Sequence, residues 1–195
     1  MVKIDTCTII GGGPSGLLLS ILLSQAGAKH VSVYDKRRSI QNQRESFGRS
    51  VNITICKRGL TALEKVGLKS KVIEMSVPLS GVKWHASTPI FKPYGSTLQS
   101  DDKHYLYSIK RNDLTLLLEK TATSCGVEFH FQHQLIHIDT ETGTATFRCK
   151  SDVSSGGRVS TSRIVKVYID KSGFVVGADG CHSTTRKFCF AEKGE

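Results

Sequence analysis

A glycine-rich turn between a predicted strand and a predicted helix constrains the fold of this chain most strongly. The turn spans Gly11 to Gly16 and reads G-G-G-P-S-G, so three of its glycines have the spacing G-x-G-x-x-G. Residues 3–10 before it are rich in β-branched side chains and predict a buried strand. Residues 17–23 after it are almost all apolar, and Pro14 suits the first position of a helix. The chain therefore opens with a strand, a tight turn and a helix.

A second predicted strand follows at the distance expected for a β-α-β unit. Residues 30–34 alternate in polarity and end at Asp35, nineteen residues after Gly16. In such units the glycines permit the turn, the approach of a pyrophosphate and close helix packing, while the acidic residue binds a ribose. This pattern predicts a parallel, Rossmann-like α/β sheet that binds a dinucleotide. The residues predicted to bind it here are Gly11, Gly13, Ser15, Gly16 and Asp35.

The rest of the chain predicts a mixed arrangement of helices and strands. Residues 111–126 form one helix, because their apolar side chains recur on one face of a 3.6-residue period. Short alternating segments over residues 127–176 predict an antiparallel meander. Its last strand, residues 174–176, is predicted to be buried and leads into the sequence G-A-D-G. Residues 184–190 predict a final helix.

Composition limits the classes of partner. The chain has 27 Lys and Arg against 17 Asp and Glu, which favours anionic partners. A phosphate-bearing cofactor is one anionic partner that would fit this excess of positive charge. The sequence shows no zinc finger or aromatic-rich recognition strand that would favour nucleic acid. The longest apolar run, residues 17–23, is far shorter than the roughly 20 residues that cross a bilayer, so no membrane segment is predicted. The six cysteines form no C-x-x-C pair, and we expect reduced packing residues in an intracellular compartment.

Three histidines have a spacing that resembles a metal site. His130, His133 and His137 follow the pattern H-x-x-H-x-x-x-H within a predicted strand. Residues three apart in a strand point to opposite faces, so the side chains of His130 and His133 should diverge. No metal site is predicted. No catalytic side chain is predicted either, because the Cys181-His182 pair has no evident orienting acid.

Five further segments, together with the glycine turn, resemble the aromatic-ring flavoprotein hydroxylases. They have the order and approximate spacing of that family, and the resemblance runs from the first strand to Arg186. An early G-x-G-x-x-G combined with a late G-A-D-G is more specific than either motif alone. The segments are residues 48–53, 57–68, 92–95, 108–114 and 176–186.

The resemblance implies an α/β, Rossmann-like FAD-binding domain of the glutathione-reductase type, with an antiparallel β-meander and part of a substrate domain. Residues 1–195 would form an incomplete FAD-binding domain: 1–75 and 105–190 are its dinucleotide-binding part with the meander, and 76–104 begin the substrate-domain sheet. The implied reaction is reduction of FAD by NADPH, reaction with O₂ and hydroxylation of a small aromatic substrate. The further FAD-binding residues implied are Arg37, Arg49, Thr54, Arg111, the backbone around Leu135, and Asp179.

Within that family the chain resembles the members that hydroxylate kynurenine in tryptophan catabolism. Their substrate-contacting tyrosine matches Tyr94, but the arginine that binds the substrate carboxylate aligns with Val82, so the aromatic substrate is left open. Family members continue beyond this length, with a Gly-Asp motif and, in animals, an anchor in the outer mitochondrial membrane. We therefore expect an N-terminal portion or a short form, cytoplasmic unless a longer product is anchored, that binds FAD weakly and has little activity.

Two other functions stay open on the sequence. An NAD(P)-dependent oxidoreductase shares the glycine turn but assigns no role to Asp179. A non-enzymatic module, either an FAD-binding paralogue or a nucleic-acid binder, also fits the fold. Nucleic-acid binding would fall steeply with salt and would be indifferent to Asp35. The sequence makes no prediction about the oligomeric state.

Overall fold

The computed structural model of the chain describes residues 4–41, 51–79, 81–83, 95–97, 106–150, 162–169 and 173–191. For residues 81–83 and 95–97 only the backbone is described. The chain divides into two compact units. The major unit comprises Met1–Phe47 and Thr115–Glu195, and the inserted unit comprises Gly48–Leu114.

The described residues form both helices and strands, with a run of five consecutive strands between the last two helices. In order they are β1 (Thr6–Ile10), α1 (Pro14–Gln25), β2 (His30–Asp35), β3 (Asn52–Ile55), α2 (Lys57–Lys65), α3 (Lys69–Glu74), β4 (Val77–Leu79), β5 (Gly81–Lys83), β6 (Gly95–Thr97), β7 (Leu106–Lys110), α4 (Arg111–Ser124), β8 (Glu128–Phe131), β9 (His133–Asp139), β10 (Thr144–Lys150), β11 (Ser162–Tyr168), β12 (Phe174–Gly177) and α5 (Thr184–Ala191).

A four-stranded parallel sheet forms the centre of the major unit. Its strand order is β12-β1-β2-β8, and β1 pairs in parallel with both β2 and β12. The side chain of Ile9 in β1 is completely buried, and Leu17 and Ile21 form the buried face of α1. The predicted β-α-β unit and parallel sheet are therefore confirmed.

The antiparallel meander is shorter than the sequence predicted. It consists of β11, β10 and β9 in that order, with a register shift at Thr146/Phe147. The strands on either side of the meander belong to the parallel sheet, because β8 pairs with β2 and β12 pairs with β1. The prediction that residues 174–176 are buried is also wrong. Phe174 is 46% exposed, since β12 is the outer strand of that sheet in the described part of the chain.

One apolar cluster joins the ends of the parallel strands to the meander. Tyr34, at the end of β2, stacks between His130 and Phe147, with ring centroids 4.2 and 4.4 Å away. Phe147 is completely buried, so this stack lies inside the major unit. The buried members of the cluster are Ile10, Tyr34, Leu135, Ile138, Ala145, Phe147 and Ile169.

The prediction that His130 and His133 diverge is wrong. Strand β8 ends at Phe131, and Gln132 has a positive φ of 61° before β9 begins. Because the strand does not continue through Gln132, the two imidazole rings approach to a centroid distance of 5.7 Å. Within the described residues no three His, Cys, Asp or Glu side chains are grouped so that they could hold a metal ion.

The inserted unit contains two small antiparallel sheets. One has the order β3-β7-β4, and the other is the pair β5-β6. Helix α4 begins at Arg111, as the sequence predicted, and the Arg111 amide donates to the Val51 carbonyl at 3.0 Å. That residues 76–104 begin a substrate domain stays a prediction. Among the helices in the described ranges, none has both the length and the apolarity to span a bilayer.

The cysteines differ in environment. Cys7 is buried in β1, and Cys125 and Cys149 are partly buried. Cys56, Cys181 and Cys189 are exposed, so the prediction that all six are packing residues is wrong for these three. All six are free thiols.

Candidate functional site

The glycine turn is held by close backbone contacts that leave no room for side chains at two of its positions. Gly11 has a φ of 111°, and a Cβ on it would lie 2.4 Å from the Ala178 carbonyl oxygen. The Gly11 amide donates to the Tyr34 carbonyl at 2.8 Å, which ties the turn to β2. Gly16, in the first turn of α1, packs against Gly11 and Ala178. Both glycines therefore serve the packing of the turn itself.

Gly13 differs from these two glycines because the space in front of it is open. A Cβ on Gly13 would meet no atom within 4 Å, and its φ of −80° is accessible to any residue. Gly13 is also the N-cap of α1, and no side chain caps this end of the helix. The first turn of α1, which includes exposed Ser15, holds no acidic residue. A helix N-terminus of this kind presents free N–H groups and a positive dipole end to an anion.

Asp35 lies beside this open turn, at the end of β2. The Gly12 amide donates to its Oδ2 at 2.7 Å. The Arg37 amide and Nε donate to Oδ1 at 2.7 and 3.0 Å, and Arg37 Nη2 donates to Oδ2 at 2.9 Å. Asp35 is buried, whereas the Arg37 side chain is half exposed. Three predicted site residues, Gly13, Asp35 and Arg37, therefore lie near the carboxyl ends of the neighbouring strands β1 and β2.

The Asp35 carboxylate is stabilised in its charged form. Burial by itself would raise its pKa. The side-chain and backbone hydrogen bonds from Arg37, the guanidinium charge and the Gly12 amide oppose burial, and the net effect lowers the pKa of Asp35 below its usual value. An ionised carboxylate only accepts hydrogen bonds, so Asp35 is suited to the hydroxyl groups of a ribose.

The G-A-D-G turn contacts the glycine turn through its backbone. The Ala178 amide donates to the Ile10 carbonyl at 2.7 Å, and the Asp179 nitrogen lies 2.7 Å from a Cβ placed on Gly11. The two motifs that the sequence singled out, 168 residues apart, therefore meet in the structure. Parallel pairing of β1 with β12 accounts for this, since it brings the carboxyl ends of both strands to the same edge of the sheet.

The Asp179 side chain is directed at helix α5. Its Oδ1 accepts from Ser183 Oγ at 2.6 Å, and its Oδ2 accepts from the amides of Thr184 and Thr185 at 2.7 and 3.1 Å. Burial by itself would raise the pKa of Asp179, but these hydrogen bonds outweigh burial and lower it below its usual value. Asp179 thus accepts from the first two amides of α5, while the N-cap residue Ser183 accepts from the Arg186 amide at 2.9 Å. A direct contact between its carboxylate and FAD stays a prediction.

The other residues predicted to bind the cofactor have different surroundings. Leu135 is buried in β9 opposite Phe147, so its side chain belongs to the apolar cluster. Thr54 in β3 and Arg111 at the start of α4 are both exposed and belong to the inserted unit. Arg49 and the predicted substrate residue Tyr94 lie outside the described residues. Val82 pairs with Ser96 in the β5-β6 sheet.

Sequence reasoning missed two contributors to this region. Gly12 supplies the amide that bonds to Asp35, and its place between the motif glycines was the only signal for it. Glu119 in α4 is buried and accepts hydrogen bonds from the segment that follows Arg37. Its signal was weak: it lies beside the apolar face of a helix, where an acidic residue ordinarily faces solvent.

These residues fit the adenosine diphosphate part of a flavin dinucleotide. The open face of Gly13 and the uncapped N-terminus of α1 suit a pyrophosphate, and the ionised Asp35 suits a ribose. The half-exposed Arg37 guanidinium lies next to that carboxylate. A Cβ at Gly11 or Gly16 would collide with backbone atoms, whereas one at Gly13 would meet no atom within 4 Å.

The family of this chain is established by comparison with known proteins. The model of the FAD binding domain family matches residues 3–192. The chain therefore belongs to this family of FAD-binding domains, which confirms the predicted fold class and favours FAD over a nicotinamide cofactor.

Curated relatives carry a more specific name. Kynurenine 3-monooxygenase of Myxococcus xanthus is 29% identical over 186 residues, and kynurenine 3-monooxygenase 2 of Aspergillus niger is 33% identical over 193 residues. These alignments cover 94% and 92% of this chain but only 36% and 39% of the relatives. The chain thus spans little more than a third of the length of the curated relatives that it matches.

Solved structures show the same fold. The p-nitrophenol 4-monooxygenase of Pseudomonas putida has a TM-score of 0.64 at 19% identity, over 95% of this chain and 43% of that one. A Diels-Alderase from pyrroindomycin biosynthesis has a TM-score of 0.62 at 19% identity, over 94% of this chain and 34% of that one. Because proteins of such different names share it, the fold by itself does not determine the reaction.

Proposed function

We propose that this chain provides the FAD-binding part of an FAD-dependent hydroxylase that uses NADPH and acts on a small aromatic substrate. The observation that carries the proposal is the open, uncapped turn at Gly13 next to the ionised Asp35. The names of the curated relatives support the reaction class. When bound, FAD would supply the redox and oxygen chemistry, and the protein would bind and orient it.

The geometry of these residues supports a proposed role for each of them. The amides at the start of α1 would donate to the pyrophosphate, and Gly13 would let it approach the backbone. The two oxygens of Asp35 already accept four hydrogen bonds, three of them from Arg37. A ribose hydroxyl would therefore displace one contact of the half-exposed Arg37 guanidinium and leave the Gly12 bond intact. The displaced guanidinium nitrogen would then donate to the adenosine end of the dinucleotide, so that Arg37 contributes to binding.

The substrate assignment is less specific than the names of the relatives. Val82 cannot bind a carboxylate, and the neighbouring Lys83 is a point charge that lacks the bidentate geometry of arginine. We therefore propose an aromatic substrate as a class, with kynurenine as one member to be assayed.

The test is a titration of the purified chain with FAD, followed by flavin absorbance and fluorescence. Gly13→Ala is the decisive variant, because the added methyl group meets no protein atom but fills the space proposed for the pyrophosphate. We expect FAD affinity to fall at least about tenfold, which corresponds to about 1.4 kcal/mol. The unfolding midpoint without cofactor should not change.

A matched control lies at the other end of the same helix. Gln25→Ala changes an exposed residue of α1 and should leave FAD affinity unchanged. Absence of FAD binding by the wild-type chain at any accessible concentration would overturn the proposal, as would equal affinity of the Gly13→Ala variant. Preferential binding of NAD(P)⁺ would favour a nicotinamide-dependent enzyme instead.

A further inference from the structure

A buried carboxylate on helix α4 holds the segment that follows the proposed ribose site. Glu119 is only 3% exposed. Its Oε1 accepts from Ser39 Oγ and from Gln41 Nε2, the latter at 3.2 Å, and its Oε2 accepts from the Ile40 amide at 3.2 Å. The Gln41 amide in turn donates to Ser39 Oγ at 3.2 Å. One side chain thus fixes three consecutive residues.

This cluster, which consists of Glu119 with Ser39, Ile40 and Gln41, lies two residues beyond Arg37. Arg37 itself is held through its backbone: its amide donates to Asp35 Oδ1 on the N-terminal side, and its carbonyl accepts from the Gln132 amide at 3.0 Å. The hydrogen bond and charge of Asp35 raise the pKa of the Arg37 guanidinium against the opposing effect of burial, and the Glu119 charge adds a smaller contribution in the same direction as Asp35. The position of Arg37 is therefore determined from both directions along the chain.

Burial of the Glu119 carboxylate has a cost in free energy. Removing a charged group from water costs several kcal/mol in general unless hydrogen bonds replace the water. Here three donors do so, and all of them come from the same short segment. The buried carboxylate and the segment 39–41 therefore stabilise each other in one conformation.

We propose that Glu119 is a positioning residue of the dinucleotide site: by fixing Ser39, Ile40 and Gln41, it holds Arg37 beside Asp35. The inference rests on the proposed function, because it assigns Arg37 to the adenosine end of FAD. Glu119 touches no cofactor itself and acts through the segment that carries Arg37.

Glu119→Gln is the variant that changes the hydrogen bonds with the least change in shape. Whichever way its amide is oriented, it presents an NH₂ group to at least one former donor. The segment should loosen, and the contribution of Arg37 to binding should be lost. We expect about tenfold weaker binding of ADP, which is the probe because it contains the pyrophosphate and one ribose but no flavin.

A double-mutant cycle separates positioning from general stability. In an Arg37→Ala background, Glu119→Gln should change ADP affinity by less than about twofold, because the residue through which it acts is gone. Lys120→Gln, an exposed neighbour on α4, is the matched control and should leave ADP affinity unchanged. If the Glu119→Gln variant does not fold, Ser39→Ala provides a second test. It removes one donor but keeps the buried charge, and it should also weaken ADP binding.

The outcomes are distinct. Unchanged ADP affinity in both Glu119→Gln and Ser39→Ala overturns the inference, as does an equal loss with and without Arg37. If the wild type binds ADP and FAD and the variants bind them with the same affinity, the proposed function stands and only the role of Glu119 is rejected. A wild-type chain that binds neither ligand rejects both.

Discussion

The α-carbon of Gly16 faces the carbonyl oxygen of Gly11 so closely that a Cβ on Gly16 would lie 2.0 Å from that oxygen. The obstacle is backbone, which cannot rotate away as a side-chain end can. The same Cβ would also approach the Ala178 side chain to 3.2 Å. Helix α1 therefore lies against the turn at a distance that only glycine permits.

Gly16→Ala should accordingly destabilise the chain even without any ligand. The expected loss in the free energy of unfolding is about 3 kcal/mol, since helix and turn must separate to admit the methyl group. Urea unfolding followed by circular dichroism measures it. Ser15→Ala, one residue earlier and exposed, should stay within about 0.5 kcal/mol of the wild type, and equal stability of the two variants would contradict the packing described.

The ionised Asp35 should make stability depend on pH. Its pKa is lower in the folded chain than in the unfolded one, so its contribution is complete above the ordinary aspartate value of about 3.9. The contribution is lost as the pH falls from there through the folded pKa. Asp35→Asn should therefore cost about 2 kcal/mol at pH 7, and the cost should decrease as the pH falls below about 3.9.

Urea unfolding of both proteins between pH 3 and pH 7 checks this dependence. Glu141→Gln, which removes an exposed carboxylate, is the control and should give a curve parallel to that of the wild type. If the difference between the wild type and Asp35→Asn were constant over the whole range, the carboxylate would not be stabilised by its contacts with Arg37 and Gly12.

The parts of the fold that the sequence predicted depend on local periodicity. Residues 3–35 show a strand, a glycine turn, a helix and a second strand in direct succession, and parallel pairing then brings Asp35 to Gly12. The meeting of Asp179 with Gly11 followed from the resemblance to a family, because no local pattern relates residues so far apart.

The parts that the sequence did not predict depend on contacts between distant segments. Phe174 and Val175 have the composition of a buried strand, and only the sheet order shows that β12 is the outer strand in the described region. The positive φ of Gln132, which brings His130 and His133 together, has no signal in a residue that is not glycine. Glu119 likewise looks like a surface residue until its three partners are placed.

Asp179 should contribute to stability through helix α5. Asp179→Ala removes the acceptor for the Thr184 and Thr185 amides, and the expected loss is about 1 kcal/mol, the usual cost of a lost helix cap. Hydrogen exchange of these two amides should become faster, and NMR spectroscopy or mass spectrometry can measure the change. Asp179→Asn keeps one acceptor oxygen and should lose less. Unchanged exchange together with weaker FAD binding would instead assign the carboxylate to the cofactor.

The thiol of Cys56 should be the more reactive of two contrasting cysteines. Cys56 precedes α2, where the backbone amides of Gly59 and then of Arg58, with a smaller contribution from the Arg58 guanidinium, lower its pKa. Burial instead raises the pKa of Cys7. Because the thiolate is the nucleophile, iodoacetamide at pH 7.5 should alkylate Cys56 at least about ten times faster than Cys7.

Mass spectrometry of the alkylated peptides assigns the two rates, and their pH dependence gives the midpoint for Cys56. That midpoint should lie below the ordinary cysteine value of about 8.5 and should rise to it in urea, where the helix is lost. Arg58→Gln should raise the midpoint only in part, since the amides remain. A midpoint that is the same in the folded and the unfolded chain would show that the start of α2 does not stabilise the thiolate.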